Sequence, residues 1–452
     1  PYEISACLVG SEMCIRDRAR RELRITLTRK LNIKIIAFEA SGSGSLFIYK
    51  LVKNSTFALR KPEIMEFIAE TIADLSPSLT LSITSQAKQM REEGIDVCNL
   101  GAGEPDFDTP QHIKNAAIDA LQDGQTKYTP VSGIKALRMG IAKKFKDENQ
   151  IDYAPEEIVV NCGAKHSCFN AIMACCDAGD EVIIPSPYWT SYPEMVNAVG
   201  AKPVFVETKQ ENNWKITPEE FDNSMTGSTK MIIINSPNNP TGAVYSKEEL
   251  AAIGEVAASE DILILSDEIY EKLVYGEAEH VSMASISEEI KKLTITINGF
   301  SKAYSMTGWR LGYTAANKEI AEAIDTIQSH STSNPTTFAQ YGAIAALSSD
   351  QSEISDMVEE YDIRRQYVLG RLNSIANVST IEPAGAFYFL INIEKTGIKS
   401  VNFAEKLLSR MQVATVPGIA FGNDQSIRIS YATSLPVIKE GLDRLEEFCR
   451  AH

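Results

Sequence analysis

The chain has 452 residues, 44% of them hydrophobic and 23% charged, and its formal net charge is −16. Such a chain is long enough for two or three domains, and its composition is that of a globular protein rather than a disordered or membrane-embedded one. No run reaches the roughly 18 apolar residues of a membrane-spanning helix, and the acidic balance argues against a general nucleic-acid binder, which needs clustered Lys and Arg.

The first 64 residues differ in charge from the rest of the chain. They contain 12 Lys and Arg against 6 Asp and Glu, whereas the remaining 388 residues contain 32 against 54. Residues 5–18, SACLVGSEMCIRDR, resemble a translated sequencing adapter, and residues 19–64 fit either an organelle transit peptide or sequence that is normally untranslated. We expect residues 1–64 to be a non-native or untranslated leader, with the native chain starting at Met65.

The eight cysteines and five histidines show no paired metal-binding spacing. In a chain of this size, they predict reduced core cysteines of a cytoplasmic protein, with neither a disulfide framework nor a metal site. The GxxxxGK[ST] phosphate loop and the GxGxxG dinucleotide fingerprint do not occur either.

From residue 157 onward, short apolar runs rich in β-branched residues alternate with helical patterns. Such runs, bounded by turn residues, are typical of strands buried on both faces, as in a mostly parallel sheet covered by helices. The seven runs occupy residues 157–163, 181–189, 202–208, 230–237, 261–268, 293–302 and 310–316. We predict a large α/β domain with a mostly parallel seven-stranded sheet over residues 111–345. Residues 346–452 and an N-terminal arm, 65–110, are predicted to form a smaller α/β domain.

Reactive side chains follow four of these runs. They are Tyr188 and Trp189, Asn238 and Asn239, Asp267 and Tyr270, and Ser301 and Lys302. In open α/β sheets, ligands bind at the carboxyl ends of the strands. We therefore predict that these side chains converge on one active-site crevice. The alternative is a chance grouping, because strand ends are polar in most proteins.

Lys302 follows an alternating strand and precedes a glycine-bearing turn. A lysine in a cleft has its pKa lowered by burial and by nearby cations, and it then becomes a nucleophile that forms Schiff bases. Arg310, eight residues further on, is such a cation and a fork-shaped phosphate ligand. Taken alone, both residues also fit exposed positions after a strand.

Asp267 ends a very apolar strand, so its buried carboxylate needs a partner. A protonated pyridine nitrogen is a suitable partner, because the pair makes the ring an electron sink. Tyr270 would then be placed to hydrogen-bond a ring hydroxyl. The alternative is that Asp267 caps a helix beginning at Glu268.

Three further segments are informative only in combination. Residues 161–176 predict a strand, a tight turn at Gly163 and a helix whose N-terminus suits a phosphate. The loop 236–242, SPNNPTG, either offers amides to a ligand or is a simple turn. Arg428 lies in a strand pattern, where a buried cation needs an anion such as a carboxylate; otherwise it is a strand-edge arginine.

Seven motifs occur in a fixed order along the chain. They are LGAGEPDFDTP (100–110), TKYTPVSGI (126–134), PSPYWTSYPEM (185–195), NSPNNPTGA (235–243), SDEIYE (266–271), GFSKAYSMTGWRLGY (299–313) and RISYATS (428–434). Over residues 65–452 the chain resembles the fold-type-I, class I aminotransferases, and specifically the bacterial aspartate and prephenate aminotransferases. The resemblance implies a pyridoxal 5′-phosphate enzyme with a large cofactor domain, a small domain, and a homodimer with shared active sites.

The resemblance also implies how the cofactor is held. Lys302 carries it as a Schiff base and moves a proton at the substrate Cα, and Asp267 pairs with the pyridine nitrogen. Tyr270 and Asn239 hold the ring oxygen, and Trp189 stacks on the ring face. The phosphate is surrounded by Ala164, Lys165, Ser301 and Arg310.

Substrate contacts are implied in the same way. Gly103 and Arg428 hold the α-carboxylate, beside Trp189 and Asn239. Lys165 is the cation for the distal carboxylate of the substrate. Tyr128 reaches the phosphate in the neighbouring subunit.

The implied reaction is ping-pong transamination between aspartate, or another dicarboxylic amino acid, and 2-oxoglutarate. Prephenate or aromatic transamination, a lyase reaction on the same fold, and a ligand-sensing transcription regulator are the alternatives. Two residues depart from the resemblance: His166 stands where the family often has Gln, and Ser76 stands where some prephenate-using relatives have Lys. The second departure argues against prephenate as the main substrate.

Overall fold

The computed structural model describes residues 79–451, together with Ala69, Ile72, Leu75 and the backbone of four short strands near the N-terminus. Contacts divide the chain into two units, Pro1–Phe67 and Ile68–His452. In the first unit, the strands form two antiparallel pairs: β1 (Cys7–Val9) with β2 (Glu12–Cys14), and β3 (Lys34–Glu39) with β4 (Leu46–Leu51). Most of the predicted leader, the predicted start at Met65 and the departure at Ser76 lie outside the described residues.

The second unit contains a seven-stranded sheet. Its strands are β6 (Ile158–Asn161), β7 (Glu181–Ser186), β8 (Lys202–Glu207), β9 (Thr229–Asn235), β10 (Leu263–Asp267), β11 (Thr294–Gly299) and β12 (Gly312–Ala315). The spatial order is β6-β12-β11-β10-β9-β7-β8. Strand β12 runs in the opposite direction to the other six. Six of the seven predicted runs contain one of these strands whole, and the run 230–237 contains all of β9 except Thr229, which confirms the predicted mostly parallel sheet.

Both faces of this sheet are buried, as the apolar runs predict. Successive side chains of a strand point to opposite faces. In β9, Met231 and Ile233 pack into one hydrophobic cluster, whereas Ile232 and Ile234 pack into another. The alternation explains why a strand covered on both faces is apolar at every position.

Helices cover the sheet and complete the unit. Their bounds are α1 (Leu79–Glu92), α2 (Gln111–Gln122), α3 (Lys135–Asn149), α4 (Ala164–Cys175), α5 (Tyr192–Ala198), α6 (Pro218–Ser224), α7 (Lys247–Ser259), α8 (Glu288–Leu293), α9 (Lys318–Ser329), α10 (Thr337–Ser348), α11 (Ser352–Leu372), α12 (Ser400–Met411) and α13 (Leu435–Arg450). The N-terminus of α7 is a capping box, in which the Ser246 hydroxyl accepts from Glu249 N–H and the Glu249 carboxylate accepts from Ser246 N–H. None of the helices in the described part of the chain is long and apolar enough to cross a membrane.

A smaller sheet is formed by the C-terminal part of the chain. Strand β13 (Tyr388–Asn392) pairs antiparallel with β16 (Ser426–Ser430), which also pairs with β15 (Val416–Pro417). Beside it, β14 (Val413–Ala414) pairs parallel with β5 (Cys98–Asn99), so an N-terminal segment joins the C-terminal elements. The domain boundaries at 110 and 345 stay a prediction.

Candidate active site

A cavity of about 450 Å³ lies at the carboxyl ends of β7, β9, β10 and β11, where open α/β sheets bind ligands. Eleven of the twelve site residues named from the sequence line it. They are Gly103, Ala164, Lys165, Trp189, Asn239, Asp267, Tyr270, Ser301, Lys302, Arg310 and Arg428. Six of the eight reactive strand-end side chains grouped from the sequence therefore lie in one cavity.

Lys302 lies in the turn after β11 and reaches into the cavity. Its Nζ donates to the carbonyl oxygen of Gly103 and lies 5.6 Å from the ring centroid of Tyr270. Burial lowers the pKa of Lys302 from 10.5 to about 8, and the charge of Arg428 adds to this effect more than that of Arg310. Lys302 is thus not an exposed strand-end lysine, and the cation chiefly acting on it is Arg428, not the predicted Arg310.

Asp267 is the last residue of β10 and is buried. Its Oδ2 accepts a hydrogen bond from the Tyr192 hydroxyl at 2.6 Å, and its Oδ1 accepts from Ile269 N–H at 3.2 Å. Burial raises the pKa of Asp267 to about 6, against the lowering effect of both hydrogen bonds. Among the described elements no helix begins at Glu268, so the helix-cap alternative is wrong. A cation next to Asp267 would keep this carboxylate ionised.

An anion subsite is formed where β6 turns into α4. Gly163 has a φ of 94°, a left-handed conformation that favours glycine, and a Cβ there would lie 2.6 Å from Nη2 of Arg310, which would have to shift. Arg310 donates to the carbonyl oxygens of Thr307 at 2.8 Å and Cys162 at 3.4 Å. A guanidinium beside a helix N-terminus suits a phosphate, and Ser301 lines the same cavity.

Arg428 is a buried cation on β16. Its Nη1 donates to Oδ1 of Asn239 at 2.8 Å and its Nη2 to the carbonyl oxygen of Gly101 at 2.9 Å. Its Nε has no hydrogen-bond partner among the described residues. The Arg428 side chain likewise forms no ion pair with a carboxylate of the described residues. Burial lowers the pKa of Arg428 from its ordinary value. A buried guanidinium without a carboxylate is a binding site for one.

Lys165 and Trp189 form another wall of the cavity. The Nζ of Lys165 lies 5.0 Å from the centroid of the Trp189 ring. Burial and, after it, the charge of Arg310 lower the pKa of Lys165. His166, next to it, accepts from Cys162 N–H through Nδ1 at 3.3 Å, so this departure from the family supports the turn and does not line the cavity.

Three residues named from the sequence lie apart from the others. Tyr128 is 89% exposed and does not line the cavity. Tyr188 and Asn238 line a small neighbouring pocket instead, so the prediction that they join the crevice is wrong. Tyr188 and Asn238 immediately precede Trp189 and Asn239, which do line the cavity.

Sequence reasoning missed Tyr192 and Tyr388, which line the cavity. The Tyr388 hydroxyl lies 2.8 Å from the Tyr270 hydroxyl. A tyrosine within an apolar strand such as AFYFLINI resembles an ordinary core residue, so only its contacts reveal its position. Tyr192 falls inside the motif PSPYWTSYPEM, which was the available signal.

A buried ion pair lies behind the site. Lys144 of α3 donates to the carboxylate of Glu271, and their side chains are 5% and 8% exposed. Asn149 also donates to Glu271, at 3.1 Å. Glu271 comes close to Glu268 and His280, but it is already neutralised by Lys144, so we assign the group a structural role.

We expect Lys144→Met to lower the free energy of unfolding by about 3–5 kcal/mol at pH 7, because an unpaired carboxylate would remain buried. Burial opposes ionisation of Glu271, but the charge and hydrogen bond of Lys144 outweigh it and lower the pKa from 4.5 to about 2. The stabilisation is therefore complete above pH 4.5 and is lost as the pH falls toward 2. Urea unfolding at several pH values measures it. The double variant Lys144→Met/Glu271→Gln should recover most of the loss; if it does not, the pairing is not the cause.

Comparisons with known proteins agree with the chemistry that the cavity residues indicate. The family model for class I and II aminotransferases matches residues 95–445. The chain belongs to this family. One similar protein is an aspartate aminotransferase from Bacillus sp. (strain YM-2). It is 50% identical to this chain over 390 residues, which cover 85% of this chain and 100% of that protein.

Two further aminotransferases show the same likeness. A probable aspartate/prephenate aminotransferase from Aquifex aeolicus (strain VF5) is 47% identical over 386 residues, covering 84% of this chain and 98% of that protein. The solved structure of the aspartate aminotransferase from Thermus thermophilus with maleate matches with a TM-score of 0.82 and 41% identity. It covers 85% of this chain and 100% of that one. The predicted family and the predicted fold class are therefore confirmed.

Proposed function

We propose that this aminotransferase uses pyridoxal 5′-phosphate to transfer the amino group of aspartate to 2-oxoglutarate. The observation that carries the proposal is the presence of three groups in one cavity: Lys302, whose pKa is lowered to about 8, the buried carboxylate of Asp267, and the Arg428 guanidinium, which has no carboxylate partner among the described residues. The cavity thus holds a reactive amine, a partner for a ring cation and a partner for a carboxylate.

The residues present fit the cofactor. When bound, pyridoxal phosphate supplies an aldehyde that takes up the amino group and a ring that withdraws electrons from the substrate Cα. Lys302 would attach to it and Asp267 would pair with its ring nitrogen, while Tyr270 and Asn239 would hold its ring oxygen. Trp189 would cover the ring face. The phosphate would be held by Ala164, Lys165, Ser301 and Arg310.

The substrate would be bound by two cations and a backbone group of the same cavity. Arg428 and the Gly103 backbone would bind the α-carboxylate, and the Lys165 ammonium would bind the distal carboxylate. Because Lys302 is half-buried and its pKa is lowered, its Nζ would be neutral often enough to remove the proton from the substrate Cα and return it. Two cations that line one cavity, Arg428 and Lys165, favour a dicarboxylic amino acid over a neutral one.

A homodimer is part of the proposal. Tyr128 is exposed and does not line the cavity of its own chain. Large apolar side chains are also exposed at Ile118 and Leu121 of α2 and Met139 of α3. Contiguous exposed apolar patches mark contact surfaces, and we infer that these side chains belong to one. We assign Tyr128 to the phosphate subsite of the neighbouring subunit. A cytoplasmic location stays a prediction.

Attachment of the cofactor should depend on pH in a characteristic way. A fall in the Lys302 pKa from 10.5 to about 8 raises the neutral fraction of its amine at pH 7 by roughly 300-fold. Because only the neutral amine attacks the aldehyde, the rate of pyridoxal phosphate incorporation into the apoprotein should rise with pH and level off near 8. Stopped-flow absorbance measures this rate, and a rise that continues beyond pH 10 would contradict the lowered pKa.

A product assay tests the reaction itself. With aspartate and 2-oxoglutarate, we expect one glutamate for each oxaloacetate and no free ammonia. A lyase would instead release ammonia without needing the oxo acid. Prephenate replaces 2-oxoglutarate in a parallel assay, and a kcat/KM higher with prephenate than with 2-oxoglutarate would make the prephenate activity the main one.

A further inference from the structure

Tyr388 links the Tyr270 hydroxyl to the Arg428 guanidinium. It lies on β13, the neighbour of the strand that carries Arg428. Its hydroxyl lies 2.8 Å from the Tyr270 hydroxyl, and its ring centroid lies 4.2 Å from the guanidinium carbon of Arg428. The side chain is fully buried, so both contacts are made away from water.

Gly103 provides the space for this arrangement. A Cβ at Gly103 would lie 3.2 Å from the Tyr388 hydroxyl and 3.9 Å from Nη2 of Arg428. The first distance is tighter than ordinary van der Waals contact, so a larger residue would displace the hydroxyl. The carbonyl oxygen of the same glycine accepts from Lys302.

We propose that Tyr388 is a positioning residue with two separable parts: its hydroxyl orients the Tyr270 hydroxyl, and its ring face holds the Arg428 guanidinium for the substrate carboxylate. This inference rests on the proposed function, because Tyr270 and Arg428 are its functional targets. A cation over the face of a buried ring contributes attraction, and a buried hydroxyl pair must divide one donor and one acceptor role between its members.

The direction of the hydroxyl pair follows from charge. The Arg428 guanidinium favours negative charge on the Tyr388 oxygen, which makes Tyr388 the acceptor and Tyr270 the donor. The pKa values agree: burial raises the pKa of Tyr388, Arg428 and the Tyr270 hydrogen bond lower it, and the same hydrogen bond raises the pKa of Tyr270. The Tyr388 oxygen would therefore share the single Tyr270 proton with the ring oxygen of the cofactor, because a phenol has only one O–H to donate.

Two substitutions separate the two parts. Tyr388→Phe removes the hydroxyl and keeps the ring, whereas Tyr388→Leu removes both. Tyr431→Phe is the matched control, since Tyr431 is also buried, donates to the Ala386 carbonyl oxygen at 3.0 Å and does not line the cavity. Each holoenzyme is examined by pH titration of the absorption band of the Lys302-bound cofactor and by calorimetry with maleate, a dicarboxylate that has no amino group to transfer.

We expect Tyr388→Phe to lower the pKa of the band by about half a unit to one unit, the equivalent of one hydrogen bond. The shift is downward because Tyr270, without its acceptor, donates to the ring oxygen and stabilises the deprotonated form. Maleate affinity of this variant should stay within about twofold of wild type, whereas Tyr388→Leu should weaken it about 3- to 30-fold, the range of a buried cation–π contact. Tyr431→Phe should change neither quantity.

Two results would overturn the inference. One is a Tyr388→Phe enzyme whose band titrates as wild type does, and the other is a Tyr388→Leu enzyme that binds maleate as tightly as Tyr388→Phe. If the leucine variant does not fold, the titration of the phenylalanine variant still decides the hydroxyl part. A wild-type enzyme without any such band would overturn both the proposed function and this inference. Failure of the inference alone would instead show a normal wild-type band together with one of the two results above.

Discussion

Replacing Lys302 by alanine is expected to lower the rate of transamination by about 10⁴-fold or more, the upper end of what loss of a general base costs. The same Nζ would form the covalent bond to the cofactor and move the proton at Cα, so one substitution removes two functions. Lys302→Arg should lose as much activity, because a guanidinium stays protonated and serves neither as nucleophile nor as base. Steady-state assays with aspartate and 2-oxoglutarate measure the loss.

The control for this experiment is Lys318→Ala, an exposed lysine of α9 whose side chain lies 3.7 Å from Glu322. This variant should keep wild-type activity. Retention of more than about a tenth of the activity in Lys302→Ala, far above the residue expected after loss of the base, would refute the assignment of Lys302. A loss in both variants would indicate damage to the fold instead.

Replacing Arg428 by lysine is expected to lower kcat/KM for aspartate by about 30- to 3000-fold. The range corresponds to about 2–5 kcal/mol for truncating one partner of a buried, hydrogen-bonded charge pair. Lysine keeps the charge but cannot form the two parallel hydrogen bonds to a carboxylate. It would also lose the bonds to Asn239 and to the Gly101 carbonyl oxygen.

The stability of this variant distinguishes a binding role from a structural one. Arg428 has no ion-pair partner among the described residues, so its replacement leaves no buried carboxylate unpaired. We therefore expect only the modest fall in melting temperature that two lost hydrogen bonds cause, together with a large rise in KM. Arg444→Lys, which changes an arginine paired with Asp96 at 2.7 Å, serves as the control with normal kinetics. A large fall in melting temperature with unchanged KM would make Arg428 structural.

The sheet and most of the site were predictable from the sequence for a physical reason. Strands covered on both faces have to be apolar throughout, so each of the seven runs was visible. Polar residues at the ends of such runs, such as Asp267 and Lys302, are conspicuous because burial of a charge is costly without a function or a partner. Parallel strands then bring these ends to one edge of the sheet.

The partners of these residues were not predictable in the same way. Tyr192 contacts Asp267 across 75 positions of sequence, and Tyr388 contacts Tyr270 across 118. No periodicity encodes such contacts, and an aromatic residue in an apolar run carries no sign of a polar neighbour. The influence of Arg428 on Lys302 exceeds that of Arg310, although Arg310 is much nearer in the sequence, because distance in the fold decides an electrostatic effect.

The most direct test of the proposed function is the first half-reaction. Residues 65–452 are purified with pyridoxal phosphate, the absorption spectrum is recorded, and aspartate is added without any oxo acid. We predict that the long-wavelength band of the Lys302-bound cofactor is lost and that a shorter-wavelength band of the aminated cofactor replaces it, with one oxaloacetate formed per site. A cofactor band that does not respond to aspartate would contradict the aspartate assignment, and a protein that binds no pyridoxal phosphate would contradict the whole proposal.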